Sequence, residues 1–133
     1  MADHQNALVA ALIARLRGDA VLQALIDQRV WDEPPEGPGY PHLLIGRSES
    51  RPVGADGGGL EHVLTLTGVS KFRGAEEARA IAAAVRACLD GAGLAADGAR
   101  VVSLRVAYAD VFRAADHRRT YAVIRLRAVT EDI

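Results

Sequence analysis

The feature that most constrains this chain is residues 59–91, GLEHVLTLTGVSKFRGAEEARAIAAAVRACLDG. Residues 60–72 alternate and are rich in β-branched and apolar side chains, the period-two pattern of a strand. Residues 75–89 change to three- and four-residue spacing, with Ala78, Ile81, Ala82, Val85, Cys88 and Leu89 on one stripe of a helix. Glu76 and Glu77 fall in the first turn of that helix, where negative charge is favoured. A long strand that turns into an amphipathic helix through one polar corner, residues 71–74, must pack the helix back on a sheet. On the strand, Leu60, His62, Leu64 and Leu66 share one face; Glu61, Val63, Thr65, Thr67 and Val69 share the other. The second set is too apolar for open solvent and too polar for a deep core, the composition of a face that meets another subunit.

The rest of the chain supplies what packs on this unit. Leu8, Val9, Leu12, Ile13 and Leu16 predict a first helix over residues 3–17, stopped at Gly18, and Asp19 is placed to cap a short helix over 20–26. Residues 29–31 read as a short extended segment. Four of the five prolines fall within residues 33–41, which makes that stretch a loop. Residues 42–47 predict a strand, and residues 47–59, ending in Gly57, Gly58 and Gly59, a flexible loop, either mobile or ordered by something outside the monomer. Residues 99–109 and 120–129 predict two more strands, joined by a polar connection over 110–119, with a frayed tail at 130–133. Val102, Leu104, Val106 and Tyr108 are expected on one side of the first of these, Ser103 and Arg105 on the other. Ala122, Ile124 and Leu126 face one way on the last strand; Arg125 and Arg127 face the other. The expected fold is α+β: one domain over residues 1–133, a mainly antiparallel sheet of about four or five strands with two or three helices packed on one face.

Composition excludes several function classes. A net charge of −1 gives no bulk case for binding nucleic acid or an anionic membrane. The basic residues are fifteen Arg and one Lys, which with the alanine bias reflects a GC-rich coding genome. Cys88 is the only cysteine, so no intrachain disulfide is available, and its place on a helix stripe makes it a buried structural thiol. The first residues lack the basic and apolar regions of a signal peptide, and no apolar run reaches membrane-spanning length; a soluble chain is expected. The glycine run at 57–59 precedes a strand instead of a helix and has no following Lys and Ser/Thr pair, so it is no phosphate loop. His4, His42, His62 and His117 lack metal-site spacing, and no residues are placed for acid–base or nucleophilic catalysis. No catalytic residue, cofactor or metal is expected.

The order of motifs carries further information. Val30–Trp31 and the proline-rich loop are followed by Tyr40-Pro41-His42-Leu43-Leu44-Ile45-Gly46, then Leu60-Glu61-His62 opening a long strand, then the Gly74-Ala75-Glu76-Glu77-Ala78 helix start. Over residues 7–129 this resembles the DUF3168-type tail proteins, related to the tail terminator and tail completion proteins of siphophages and gene transfer agents. The resemblance implies a non-enzymatic subunit of a homo-hexameric ring at the head-proximal end of a tail. The ring would end the tail tube and join it to the head connector, with DNA passing non-specifically through the channel. Its partners would be itself, the major tail tube protein and the head–tail connector protein, with no membrane. It would assemble in the bacterial cytoplasm and reside in the particle. A closing ring needs two different patches on each subunit. Arg47, Glu49, Arg51, Asp56, Val63, Thr65, Thr67, Val69, Arg118 and Arg119 are the expected contacts to subunit or tail; Arg105, Arg125 and Arg127 are the candidate channel-facing strip. A head-side stopper or adaptor ring is the alternative within this class. A small α+β ligand-binding domain, with His62, Tyr108 and Tyr121 lining a pocket, is the alternative from another class.

Overall fold

The computed structural model describes residues 3–54 and 59–133. Helices α1 (His4–Arg17) and α2 (Ala20–Ile26) lead into strand β1 (Val30–Trp31). Strands β2 (His42–Pro52) and β3 (Gly59–Ser70) follow, then helix α3 (Glu76–Leu89), and then β4 (Ala95–Ala96), β5 (Ala99–Arg113) and β6 (Thr120–Asp132). The six strands lie in the order β1-β2-β3-β6-β5-β4. All neighbours are antiparallel except β1 and β2. The α+β class, the antiparallel character and the helices on one face are as the sequence implies. Two strands of two residues each account for the higher count: β1 and β4 exist through their partners, not through any periodicity of their own.

Local chemistry places the helices. Asp3 accepts from the Asn6 amide at 3.1 Å and Asp19 from the Leu22 amide at 3.0 Å, so the starts of α1 and α2 have side-chain caps. α1 buries Leu8, Leu12 and Leu16; α3 buries Ala78, Ile81, Ala84, Val85, Cys88 and Leu89. They close over Leu43, Ile45, Leu64, Leu66, Leu104, Ile124 and Leu126 from the sheet. Each fully buried leucine here contributes about 1.5–3 kcal/mol by removal from water. Gly68 fixes how near α3 comes to β3: a Cβ there would stand 3.1 Å from Ile81 Cγ2. The end of α3 also shields the outer edge of β5, through Gly91 N–H to the Leu104 carbonyl and Val106 N–H to Asp90 Oδ1, both 2.9 Å.

Four expectations need correction. Residues 47–52 are not loop: β2 continues to Pro52, pairing Ser48 with Leu64 and Pro52 with Leu60 beyond a register shift between Ile45 and Ser48. The connection is therefore six residues, 53–58, of which 55–58, including Asp56, lie outside the described residues. Residues 130–132 do not fray: β6 runs to Asp132, and Thr130 is fully buried. The connection after β5 is shorter than residues 110–119, because β5 reaches Arg113. Finally, Val102 and Tyr108 leave the core side of β5, since bulges between Val101 and Ser103 and between Val106 and Tyr108 each shift alternation by one residue.

Candidate assembly surface

The sheet has one face under the helices and one face that no helix among the described residues covers. Register assigns the uncovered face, because directly paired residues point the same way. Across it run Glu49–Val63–Arg127–Arg105, then Thr65–Arg125–Tyr108, then Leu44–Thr67–Val123–Asp110. Val63, Thr65, Thr67, Leu44, Val123 and Val129 are half-buried. Tyr108 and Phe112 keep 49% and 43% of their surface exposed, so two large rings stand on this face without cover.

Charges on the face are partly neutralised within the subunit. Glu61 accepts from Arg51 at 2.6 Å and lies 3.5 Å from Arg127 Nη2. Arg47 and Glu49 pair at 3.3 Å in full solvent, an ion pair worth little to stability. Arg125 lies over the Tyr108 ring at 5.8 Å. Arg105 stands directly opposite Arg127 and makes no ion pair among the described residues. The three candidate channel arginines are thus gathered on one face, and it is the same face that holds Val63, Thr65 and Thr67.

Val69 departs from the expected contact set. It is 6% exposed because this end of the face is closed by the chain itself. His42, directly opposite Val69, donates from Nδ1 to the Gly39 carbonyl at 2.8 Å and carries the Tyr40 ring at 4.8 Å. Burial holds the His42 ring below its ordinary pKa, helped by the nearby Arg29 and Arg119 and opposed by the Gly39 bond. Lys71 Nζ sits 4.1 Å and Arg119 Cζ 5.7 Å from the centre of the Tyr40 ring. Arg118 and Arg119 therefore belong to the sheet end, in the turn before β6, and not to the face.

No shared pocket joins His62, Tyr108 and Tyr121. His62 is buried on the helix side, whereas Tyr121 pairs with Val69 and Phe112 on the open side, where Tyr108 also lies. Cys88 is buried, its thiol donating to the Arg15 carbonyl at 3.8 Å, and burial raises its pKa. Sequence reasoning missed Leu44, Tyr121, Val123 and Val129 as members of the face. The alternation of residues 120–129 contained the last three; Leu44 was hidden in an apolar run. Nothing in composition announces the bulge that turns Tyr108 outward.

The sequence model of a family described as "Tail completion protein gp17" matches residues 10–131. Among curated proteins, none matches. A chain in a solved structure described as the virion of a native gene transfer agent particle is 30% identical, with a TM-score of 0.90 over 98% of this chain and 99% of that one. A second solved structure, 18% identical with a TM-score of 0.59 over 99% of this chain and 98% of that one, shares the fold alone.

Proposed function

The chain belongs to the tail completion protein gp17 family, and from that premise we propose that it forms a ring at the head-proximal end of a phage-like tail. It is a structural tail protein. The ring ends the tail tube and joins it to the head connector, and its role is mechanical, with no catalytic step. Its partners are further copies of itself, six to a ring, with the major tail tube protein on one side and the head connector on the other. It assembles in the bacterial cytoplasm and stays in the particle. The near-complete match to a chain of a gene transfer agent virion supports a place in the particle.

The observation that carries the assembly reading is the uncovered sheet face. A single domain of 133 residues that covers one sheet face with three helices leaves the other with half-buried valines and threonines and two exposed aromatic rings. Such a surface is completed by association. Four strands, β2, β3, β6 and β5, span about 15 Å of that face at the usual strand spacing. The face divides across this width: the β2–β3 side, with Val63, Thr65 and Thr67 flanked by Arg51 and Glu61, meets a neighbouring subunit, and the β5–β6 side presents Arg105, Arg125 and Arg127 to the channel. Arginines at that position screen the passing DNA backbone without reading its sequence. Arg118 and Arg119, at the sheet end, contact the tube or the connector.

Electron microscopy of particles made without this protein tests the role. Over-long or unterminated tails are expected. Normal-length tails that fail to attach to heads would instead make it a joining protein of the head side.

A further inference from the structure

Five polar side chains from four elements form one buried chain of hydrogen bonds that the assembly role does not use. Asp132 Oδ1 is 2.8 Å from His4 Nε2; His4 Nδ1 is 2.7 Å from Thr130 Oγ1; Thr130 Oγ1 is 2.7 Å from His62 Nε2; and His62 Nδ1 is 2.8 Å from Ser50 Oγ. His62 and Thr130 are fully buried and His4 nearly so, while Asp132 and Ser50 reach solvent at the two ends. The chain links residues up to 128 positions apart in sequence.

We infer that Asp132, His4, Thr130, His62 and Ser50 form a one-proton relay, in which one added proton reverses the direction of the inner hydrogen bonds and a second breaks them. The direction follows from donor counting. The Asp132 carboxylate only accepts, so His4 Nε2 carries a hydrogen. With His4 neutral, its Nδ1 is bare and takes the Thr130 hydroxyl hydrogen. Thr130 has one hydrogen, so its oxygen accepts from His62 Nε2–H. His62 Nδ1 is then bare and takes the Ser50 hydroxyl hydrogen.

When a proton enters from solvent at Ser50 Oγ, each group passes its own hydrogen inward. Ser50 gives its former hydrogen to His62 Nδ1, His62 gives that on Nε2 to Thr130, and Thr130 gives its own to His4 Nδ1. The result is a charged His4 beside Asp132, a neutral His62 with its hydrogen moved to Nδ1, and every bond still satisfied. A second proton, on His62 Nε2, makes both rings donate to Thr130, orphans the Thr130 hydrogen and sets two cations across one buried hydroxyl. The relay therefore holds the start of α1 and the end of β6 on the sheet through the first protonation and releases them at the second. From α1 the group facing His62 is His4, and from β6 it is Asp132 beyond Thr130. β2 contributes the uncharged Ser50 and β5 the uncharged Val101 opposite Thr130. Asp3 is held on Asn6, and Arg51 and Glu61 sit on the open face. Burial and the charge of His4 both hold the His62 pKa below its ordinary value.

Imidazole nitrogen NMR of the intact protein through an acid titration tests this. At neutral pH His62 is expected to carry its hydrogen on Nε2. As His4 gains its charge, His62 is expected to remain neutral and change to the Nδ1 form. Amides of residues 130–132 lose protection, on the order of tenfold or more, only when His62 itself becomes charged. A His62 tautomer that stays fixed while His4 titrates overturns the relay, as does loss of protection at the first step. Thr130→Val removes the shared hydroxyl and is expected to uncouple His62 from His4; a tautomer change that persists in T130V also overturns it. The wild-type titration decides by itself should that variant fail to fold.

Discussion

His62 sits between apolar strand neighbours and is fully buried, yet both its ring nitrogens are satisfied. His42, at the other end of the sheet, is buried against Tyr40 and Trp31. Both rings have pKa values lowered by burial. A histidine with a depressed folded pKa favours the fold fully above its unfolded value of about 6.5, and that contribution is lost as pH falls through the folded value. Thermal unfolding is therefore expected to show a constant midpoint above about pH 7.5 and a falling one toward about pH 5. A midpoint that rises on acidification through that window would contradict the burial of neutral rings at these two positions.

At the scale of elements, β3 and β6 separate the core from the open face residue by residue. Leu64, Leu66, Ile124 and Leu126 hold the helices; Val63, Thr65, Arg125 and Arg127 alternate with them on the open face. Substitutions on the two sides should part company. Val63→Glu with Thr67→Glu is expected to change stability by no more than about 1 kcal/mol while abolishing ring formation, read by urea unfolding and by sedimentation. Arg118→Glu with Arg119→Glu is expected to leave the subunit folded, as judged by urea unfolding, and to block joining to the tail. Normal particles from either double variant would remove its surface from the interface. The alternation that makes this division was legible in residues 60–67 and 120–129, and so was the Asp19 cap of α2. What was not legible depends on partners distant in sequence. The bulges at Val102 and before Tyr108 reverse parity with no compositional mark. The extension of β2 to Pro52 comes from pairing with β3, not from its own polar sequence. His4 gains its role only from Thr130 and Asp132 at the far end of the chain. Tyr40, whose ring packs on His42 opposite Val69, lies in a proline-rich segment whose path no periodicity describes.

For the whole molecule, one layer of helices on one sheet face closes a core and leaves the other sheet face open. Within the subunit, Glu61 draws Arg51 and Arg127 together, while Arg105 and Arg125 keep their charge for whatever passes or packs in front of them. With a net charge of −1, this basic strip is a local feature and not a property of the chain at large. The most direct measurement is a cryo-electron microscopy reconstruction of the head-proximal tail end of intact particles. The account predicts a sixfold ring of this subunit capping the tube, with the β2–β3 side of each sheet against its neighbour and Arg105, Arg125 and Arg127 on the channel wall. A tail end without this subunit, or a ring with the helices lining the channel and the open sheet face in solvent, would contradict it.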